Sequence, residues 1–225
     1  QVIVPTSRFI IPEVKGSTGL KKIKAGFAGY SDVQTVSRYN QANVNAASAY
    51  LTPGFPQCQI PELGFEFGVL DEYGLDLSLT TDGGYMLRAL WQLIGSTGDN
   101  AQEGGFSIMV TGGFGGSAQY MLGLKQINEG TLEYKQSQTL LDMSMVVGYR
   151  FGATTIAYGG PYVTLGNISG TSTVRAAPGA AGTDYAVTSS GNQIGFHLGT
   201  QFALSDVFSI ILEVAYNQIS WQNIS

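Results

Sequence analysis

The chain has 225 residues; 12% are charged, where an ordinary soluble domain carries about 25%, while 31 are glycine and 44% are hydrophobic, at a mean hydropathy of +0.09. A net charge of −5 without clustered Lys and Arg excludes a phosphate-binding face, so no nucleic-acid partner is expected. No apolar run is long enough for a transmembrane helix, and the lone Cys58 excludes an internal disulfide or a cysteine-built metal site.

Gln1 opens the chain with neither methionine nor leader, the expectation for an exported protein after processing. Residues 1–20 hold Pro5 and Pro12 around Phe9, Ile10 and Ile11, followed by a turn at Gly16–Gly19. Proline removes ladder donors, so the segment reads as a docked arm or an edge strand. Residues 21–225 read as one β domain. Lys21, Lys22 and Lys24, with Lys15 upstream, read as a solvated turn facing acidic lipid or cell wall. From Ile23 to Thr35 the odd positions Ile23, Ala25, Phe27 and Val33 are apolar and Lys24, Asp32 and Gln34 are polar, which predicts a strand. Residues 37–61 form a polar, proline-rich loop that includes Cys58.

Between Glu62 and Val69 the residues Leu63, Phe65, Phe67 and Val69 alternate with Glu62, Gly64, Glu66 and Gly68. A turn at Asp71–Gly74 leads to Leu75, Leu77 and Leu79, which oppose Asp76, Ser78, Thr80 and Asp82; this is the clearest hairpin in the sequence. The span 83–104 reads as a loop. Its segment Tyr85–Ile94 continues the odd phase but sets Arg88 and Gln92 four apart, as on a helix face. Phe106, Ile108 and Val110 resume the alternation, and Tyr120, Leu122 and Leu124 follow the Gly112–Gly116 run. From Leu141 to Phe151, Leu141, Met143, Met145, Val147 and Tyr149 oppose Asp142, Ser144, Gly148 and Arg150. After a turn at Gly152–Thr154 and a strand over 155–166, residues 167–190 read as a low-complexity loop. The final hairpin sets Ile194, Phe196, Leu198 and Phe202 against Gln193, Gly195, His197, Gly199 and Gln201, then Phe208, Ile210, Leu212, Val214 and Tyr216 against Ser209, Glu213 and Asn217.

Both soluble sandwiches and membrane barrels alternate, so the polar side decides. It holds small residues and isolated charges in place of the Lys, Glu and Thr of a wetted face, which suits a crowded lumen. Glu62, Glu66, Asp76, Asp82, Asp142 and Glu213 then point inward with Arg150 and His197, and Arg88 joins them if its segment is a strand. Burial forces such ions to pair, since an unpaired one costs several kcal/mol. The apolar side of the clearest strands carries no charge, as a lipid-facing surface requires. Tyr73, Tyr149, Tyr158, Tyr162, Tyr216 and Trp221 fall near strand ends, where interfacial girdles sit.

With tight turns alternating with long polar segments, and strands such as Val147-Gly148-Tyr149-Arg150-Phe151, the chain resembles the small outer-membrane β-barrels of Gram-negative bacteria, the OmpA/OmpX/OmpW-like group, over most of residues 21–218. The resemblance implies an all-β, antiparallel up-and-down transmembrane barrel of 8–10 strands, with short turns in the periplasm and long loops outside. The ending Trp221-Gln222-Asn223-Ile224-Ser225 departs from the aromatic-terminated last strand of that group. If the turns near 71–74, 152–154 and 205–206 share one side, residues from 21 onward make nine strands, and an even barrel then needs residues 1–14 as a strand or a closing strand beyond Ser225, which gives the favoured count of ten; reading 75–93 and 105–124 as two long strands makes eight.

No catalytic site is expected. His197 lacks the serine two residues on that lipid A deacylases use, so it reads as a lumen hydrogen-bonding group, and Asp82 lacks the partner an omptin-type site needs. Gly112–Gly116 lacks the lysine and helix of a phosphate cradle and reads as a bulge or constriction. No cofactor or metal is expected, since no ordered ligand spacing appears. The expected function is a structural or surface-interaction protein of the bacterial outer membrane. Its partners are lipid and, through the loops 37–61, 83–104 and 167–190, other envelope proteins. A narrow, cation-preferring channel and a soluble lipocalin-like binding barrel are the alternatives.

Overall fold

A computed structural model describes residues 11–12, 19–30, 57–80, 83–96, 103–127, 130–175, 181–205 and 208–224. They form nine strands: β1 (Gly19–Tyr30), β2 (Gln57–Leu70), β3 (Tyr73–Thr80), β4 (Tyr85–Ile94), β5 (Phe106–Ile127), β6 (Gly130–Arg150), β7 (Thr155–Arg175), β8 (Gly182–Ala203) and β9 (Ser209–Ile224). Each pairs antiparallel with its sequence neighbours in one sheet of order β1 to β9, curled into a half-barrel. There is no helix among the described residues.

The period of two governs every wall. Even residues of β2, β3, β4, β6 and β7 are buried on the concave face, and the frame switches to odd residues in β5 and β8. On the convex face the large residues stay exposed, among them Phe67, Leu75, Trp91, Phe114, Met143, Phe196 and Leu212. The strand ends Leu70 and Tyr73, Ile94 and Phe106, Arg150 and Thr155, and Ala203 and Ser209 lie together at one end of the sheet, as turns on a shared side require. Gly95 (φ 113°) and Gly104 (φ 76°) make the bends of the second connection, in a backbone region that L side chains rarely enter. The amide of Gly104 ties it to the Arg150 carbonyl at 2.8 Å.

Several expected boundaries are corrected. Tyr85–Ile94 is strand β4, not part of a loop over 83–104, because Arg88 and Gln92 share a face in a strand as well as in a helix. The expected loop 167–190 is mostly strand: β7 runs to Arg175 and β8 begins at Gly182, with backbone pairing continued from Asn167↔Ser190 to Arg175↔Gly182. Residues 57–61 of the expected loop 37–61 open β2, while 37–56 lie outside the described residues, as does Asp82. Of the first 20 residues, Ile11 and Pro12 are buried on the concave face in no strand, Gly19 and Leu20 open the edge strand β1, and the others lie outside the described residues.

Candidate functional site

The concave face is built in lateral rows. One row runs through the cross-strand partners Lys22, Glu66, Asp76, Arg88, Gly113, Asp142, Thr164 and Gln193, from β1 to β8. Its charges pair along the row. Lys22 Nζ lies 3.2 Å from Glu66 Oε1, and Lys24, one inward position along β1, bonds Asp76 and lies 3.6 Å from Glu66 Oε2. Arg88 spans two carboxylates, with Nη1 at 3.5 Å from Asp76 Oδ2 and Nε donating to Asp142 Oδ2 at 3.1 Å. Thr164 completes Asp142 with a 2.8 Å bond from its hydroxyl. Asp76, Arg88 and Asp142 are almost fully buried, so each depends on its partners.

Gly113 explains how Arg88 crosses β5. A Cβ there would stand 2.4 Å from the Leu87 carbonyl oxygen and 2.6 Å from Arg88 Cγ. The same construction recurs on the other side of the sheet. Tyr158 lies over Gly199 and donates to Glu213 Oε2 at 2.9 Å, while Tyr162 lies over Gly195 and accepts from Gln193 Nε2 at 3.3 Å. His197 stands edge-on between the two tyrosines, with Nδ1 3.5 Å from Glu213 Oε2. Small residues on one strand thus make room for large side chains from the next.

Apolar layers lie above and below the charged row. Met86 and Leu140 flank Gly115 towards the end with the 81–84 connection. Towards the other end Ile11, Leu90, Met109, Val146, Ile156 and Tyr158 form the core cluster. The expectation of an interior lined throughout by glycine and carboxylate is therefore corrected: the ions occupy a belt between apolar layers, and that layering is what denies them water.

Glu62, Glu66, Asp76, Asp142, His197 and Glu213 all reach the concave face as expected. Glu66, Asp76 and Asp142 join the ionic row, His197 and Glu213 form a second cluster with Tyr158, and Glu62 lies beside the row, bonded to the Ser78 hydroxyl with Oε2 unbonded to protein. Arg150 sits at the rim, half-buried, and donates to the Ala153 carbonyl in the 151–154 turn at 2.9 Å. Lys22 and Lys24 are a further correction, since they are cations of the row and not a solvated turn; their partners lie 44 and 52 residues away, where no local pattern reports them. Tyr158 and Tyr162 are buried inside and do not belong to a girdle. On the outer face Tyr73 stacks on Trp91 at 5.8 Å and Tyr149 meets Phe151 edge-on at 4.8 Å, all four near the short connections.

A set of ions so arranged can hold strands in register and present fixed charge to a lumen. Among the described residues no three His, Cys, Asp or Glu side chains are placed to hold a metal. No family model, curated protein or solved structure matches this chain.

Proposed function

We propose that this chain is a membrane-embedded β-barrel of the bacterial outer membrane, of the kind its sequence resembles, that anchors in lipid and offers its far end to envelope or external partners. The observation that carries the reading is the sharp change along the outer face. Phe114, Leu141 and Leu165 pair across β5, β6 and β7 as large exposed residues of that face, and Leu141 and Leu165 are the last such residues on β6 and β7 among the described side chains. One outward step further, Thr139 and Asn167 pair, followed by Ser137 with Ser169, whose hydroxyls bond at 2.7 Å in the open. Below that border exposed apolar residues run along β6 from Leu141 to Tyr149 and on to Phe151 in the turn. The strand from Leu141 to Arg150 measures roughly 33 Å, and a tilt of about 40° projects it to about 25 Å, the height of a membrane barrel's apolar band.

No second protein layer covers this band among the described residues. Contiguous apolar surface of that size is foreign to a water-borne monomer. A soluble binding barrel would face its apolar residues inward, so the lipocalin-like alternative loses its support. Lipid also requires every backbone group to be paired, which means that the β1 and β9 edges must be joined. Both strands run away from the short connections. A direct join is therefore parallel, whereas one more strand between them restores antiparallel pairing throughout. The far ends of β5–β8, extended beyond that border, are the platform that meets partners in this reading. This reading assigns no catalytic step.

Opposite faces of β9 supply the test. Leu212 is 63% exposed on the outer face, whereas Ser209 is half-buried and accepts a bond from Gln201 at 2.9 Å. Arginine on the lipid-facing side costs roughly 2–4 kcal/mol at the midplane and less towards the interface, and Leu212 lies in the cross-strand row of Tyr149 near the short connections. Leu212→Arg should still reduce folding into lipid vesicles more than Ser209→Arg, read as the fraction of protein whose gel band shifts on heating. Equal effects, or a wild-type protein that stays monodisperse without detergent, would refute the assignment.

A further inference from the structure

The outer face dips where two small residues stand side by side. One of its lateral rows runs through Leu75, Ala89, Gly112 and Met143, from β3 to β6. The rows on either side are bulky, with Leu77, Leu87, Phe114 and Leu141 on one and Tyr73, Trp91, Val110 and Met145 on the other. A Cβ added at Gly112 would meet nothing within 4 Å, so the dip is open there. Towards β2 it deepens into a trough of about 350 Å³, lined by Val69, Leu70, Tyr73 and Leu75 around Ala89. Val69 is the extra residue of a bulge between the pairs Gly68↔Gly74 and Leu70↔Tyr73, which bends β2 at this wall. Tyr73 stacks on Trp91 at 5.8 Å and bounds the trough at the short-connection end.

Its size and its mouth limit what can occupy it. Leu87 and Trp91 lie four residues apart on β4, roughly 13 Å between Cα atoms. With both side chains in place, that gap admits a hydrocarbon chain and excludes a helix, which is about 10–12 Å across. The turn Asp71–Glu72 joins Leu70 to Tyr73, so two exposed carboxylates stand beside the trough. Neither enters an ion pair among the described residues. The Glu72 carbonyl accepts from the Gln92 amide at 2.9 Å, which holds the turn against β4 whatever side chain it bears. An apolar trough with an anionic mouth complements a hydrocarbon chain that ends in a cation. An anionic headgroup would be repelled by the same two carboxylates.

We infer that the trough binds a phospholipid whose headgroup carries a primary ammonium, with one acyl chain laid over Ala89 and Gly112 and the ammonium against Asp71 and Glu72. The inference rests on the membrane-barrel reading and adds to it a lipid-selective site on the outer face. A primary ammonium donates hydrogen bonds to carboxylates, and such charge-assisted bonds are stronger than contact with a quaternary ammonium that has no N–H. Phosphatidylethanolamine is therefore preferred over phosphatidylcholine.

Trp91 reports on the trough, and the other tryptophan of the chain is Trp221. The full chain carrying Trp221→Phe is folded into phosphatidylcholine vesicles with a minor share of brominated lipid, either phosphatidylethanolamine or phosphatidylcholine. Brominated phosphatidylethanolamine should quench Trp91 about threefold more than the same share of brominated phosphatidylcholine, the scale set by exposed ion pairs. Asp71→Asn with Glu72→Gln should abolish that difference while both lipids still quench. Ala89→Leu with Gly112→Val fills the trough and should bring the two lipids level, with the heat-induced gel shift kept. If the filled variant fails to fold, the turn variant decides alone, because both of its residues are exposed. The site is refuted if the two lipids quench equally before either change, or if the preference survives the turn variant. A chain that runs as a dimer when unheated, with Trp91 shielded from both lipids, gives the trough to a second copy and overturns the inference too. Absence of any gel shift in the Trp221→Phe chain and in wild type removes the barrel reading and the lipid site together, an outcome separate from the others.

Discussion

The two halves of the concave face solve one packing problem with different chemistry. In both, a large side chain lies across a glycine of the neighbouring strand: Arg88 across Gly113 on one side, Tyr158 across Gly199 on the other. Arg88 reaches two carboxylates that have almost no contact with water, whereas Tyr158 reaches one carboxylate with a neutral hydroxyl. The glycine clashes differ as well. At Gly113 a Cβ would strike the Leu87 backbone, which belongs to the sheet and cannot move alone; at Gly199 it would strike the far end of the Tyr158 ring, which can swing away. The charged half should therefore be brittle and the tyrosine half compliant, and graded substitutions can break or sharpen that contrast.

The largest effect is expected at Arg88. Its removal takes the guanidinium away from Asp142 and withdraws one of the two cations beside Asp76. Breaking one partner of a buried pair typically costs about 3–5 kcal/mol. Arg88→Met should lower unfolding stability by that order, measured by urea titration of vesicle-folded protein with tryptophan fluorescence. Adding Asp142→Asn should recover a substantial part. A single variant within about 0.5 kcal/mol of wild type would show that the row is wetted and that its ions are not mutually dependent.

Gly113→Ala comes next. The new methyl would sit 2.4 Å from a carbonyl oxygen and 2.6 Å from the Arg88 stem, so either the β4–β5 pairing spreads or Arg88 leaves Asp142. Overpacking of this kind costs about 1–3 kcal/mol. The upper part of that range is expected here; the Leu87 carbonyl contact remains whatever stands at 88, so only the share due to a displaced Arg88–Asp142 pair should vanish when Arg88 is already methionine. Full additivity of the two substitutions would contradict the argument that Gly113 exists to let Arg88 through.

The contrast between the halves also explains what could be read from the chain alone. Facing was legible wherever large and small residues alternate, as in Glu62–Val69 and Gln193–Phe202, because burial on one side imposes a period of two. The count of nine strands followed from turns on a shared side. What stayed hidden was lateral. Register decides that Gly113 lies beside Arg88 and that Gly195 and Gly199 lie beside Tyr162 and Tyr158, and register is a property of two strands at once. Lys22 and Lys24 looked solvated because their carboxylates lie on β2 and β3, across the long connection from β1 to β2. The far ends of β7 and β8 looked like loop because their described outward residues, Asn167, Ser169 and Thr188, are polar, so the strand signal fades.

The smallest expected effect lies in the tyrosine half. Tyr158→Phe removes the 2.9 Å bond to Glu213 but leaves the ring over Gly199. Bonds to charged groups are worth about 1.5–3 kcal/mol. The lower end applies here, because His197 Nδ1 already stands 3.5 Å from the same oxygen and can close on it. Gly199→Ala attacks the same bond from beneath, since its methyl would lie 2.4–2.5 Å from Cζ and the hydroxyl of Tyr158. Each single change should cost about 1.5 kcal/mol in the same urea titration, and the double variant little more than either, because both sever one contact. If Gly199→Ala instead costs as much as Gly113→Ala, the Tyr158 ring is held as rigidly as backbone and the proposed compliance of this half is wrong. If the double variant is additive, the glycine supports something other than the tyrosine's reach to Glu213, and the shared construction of the two halves fails at its second instance.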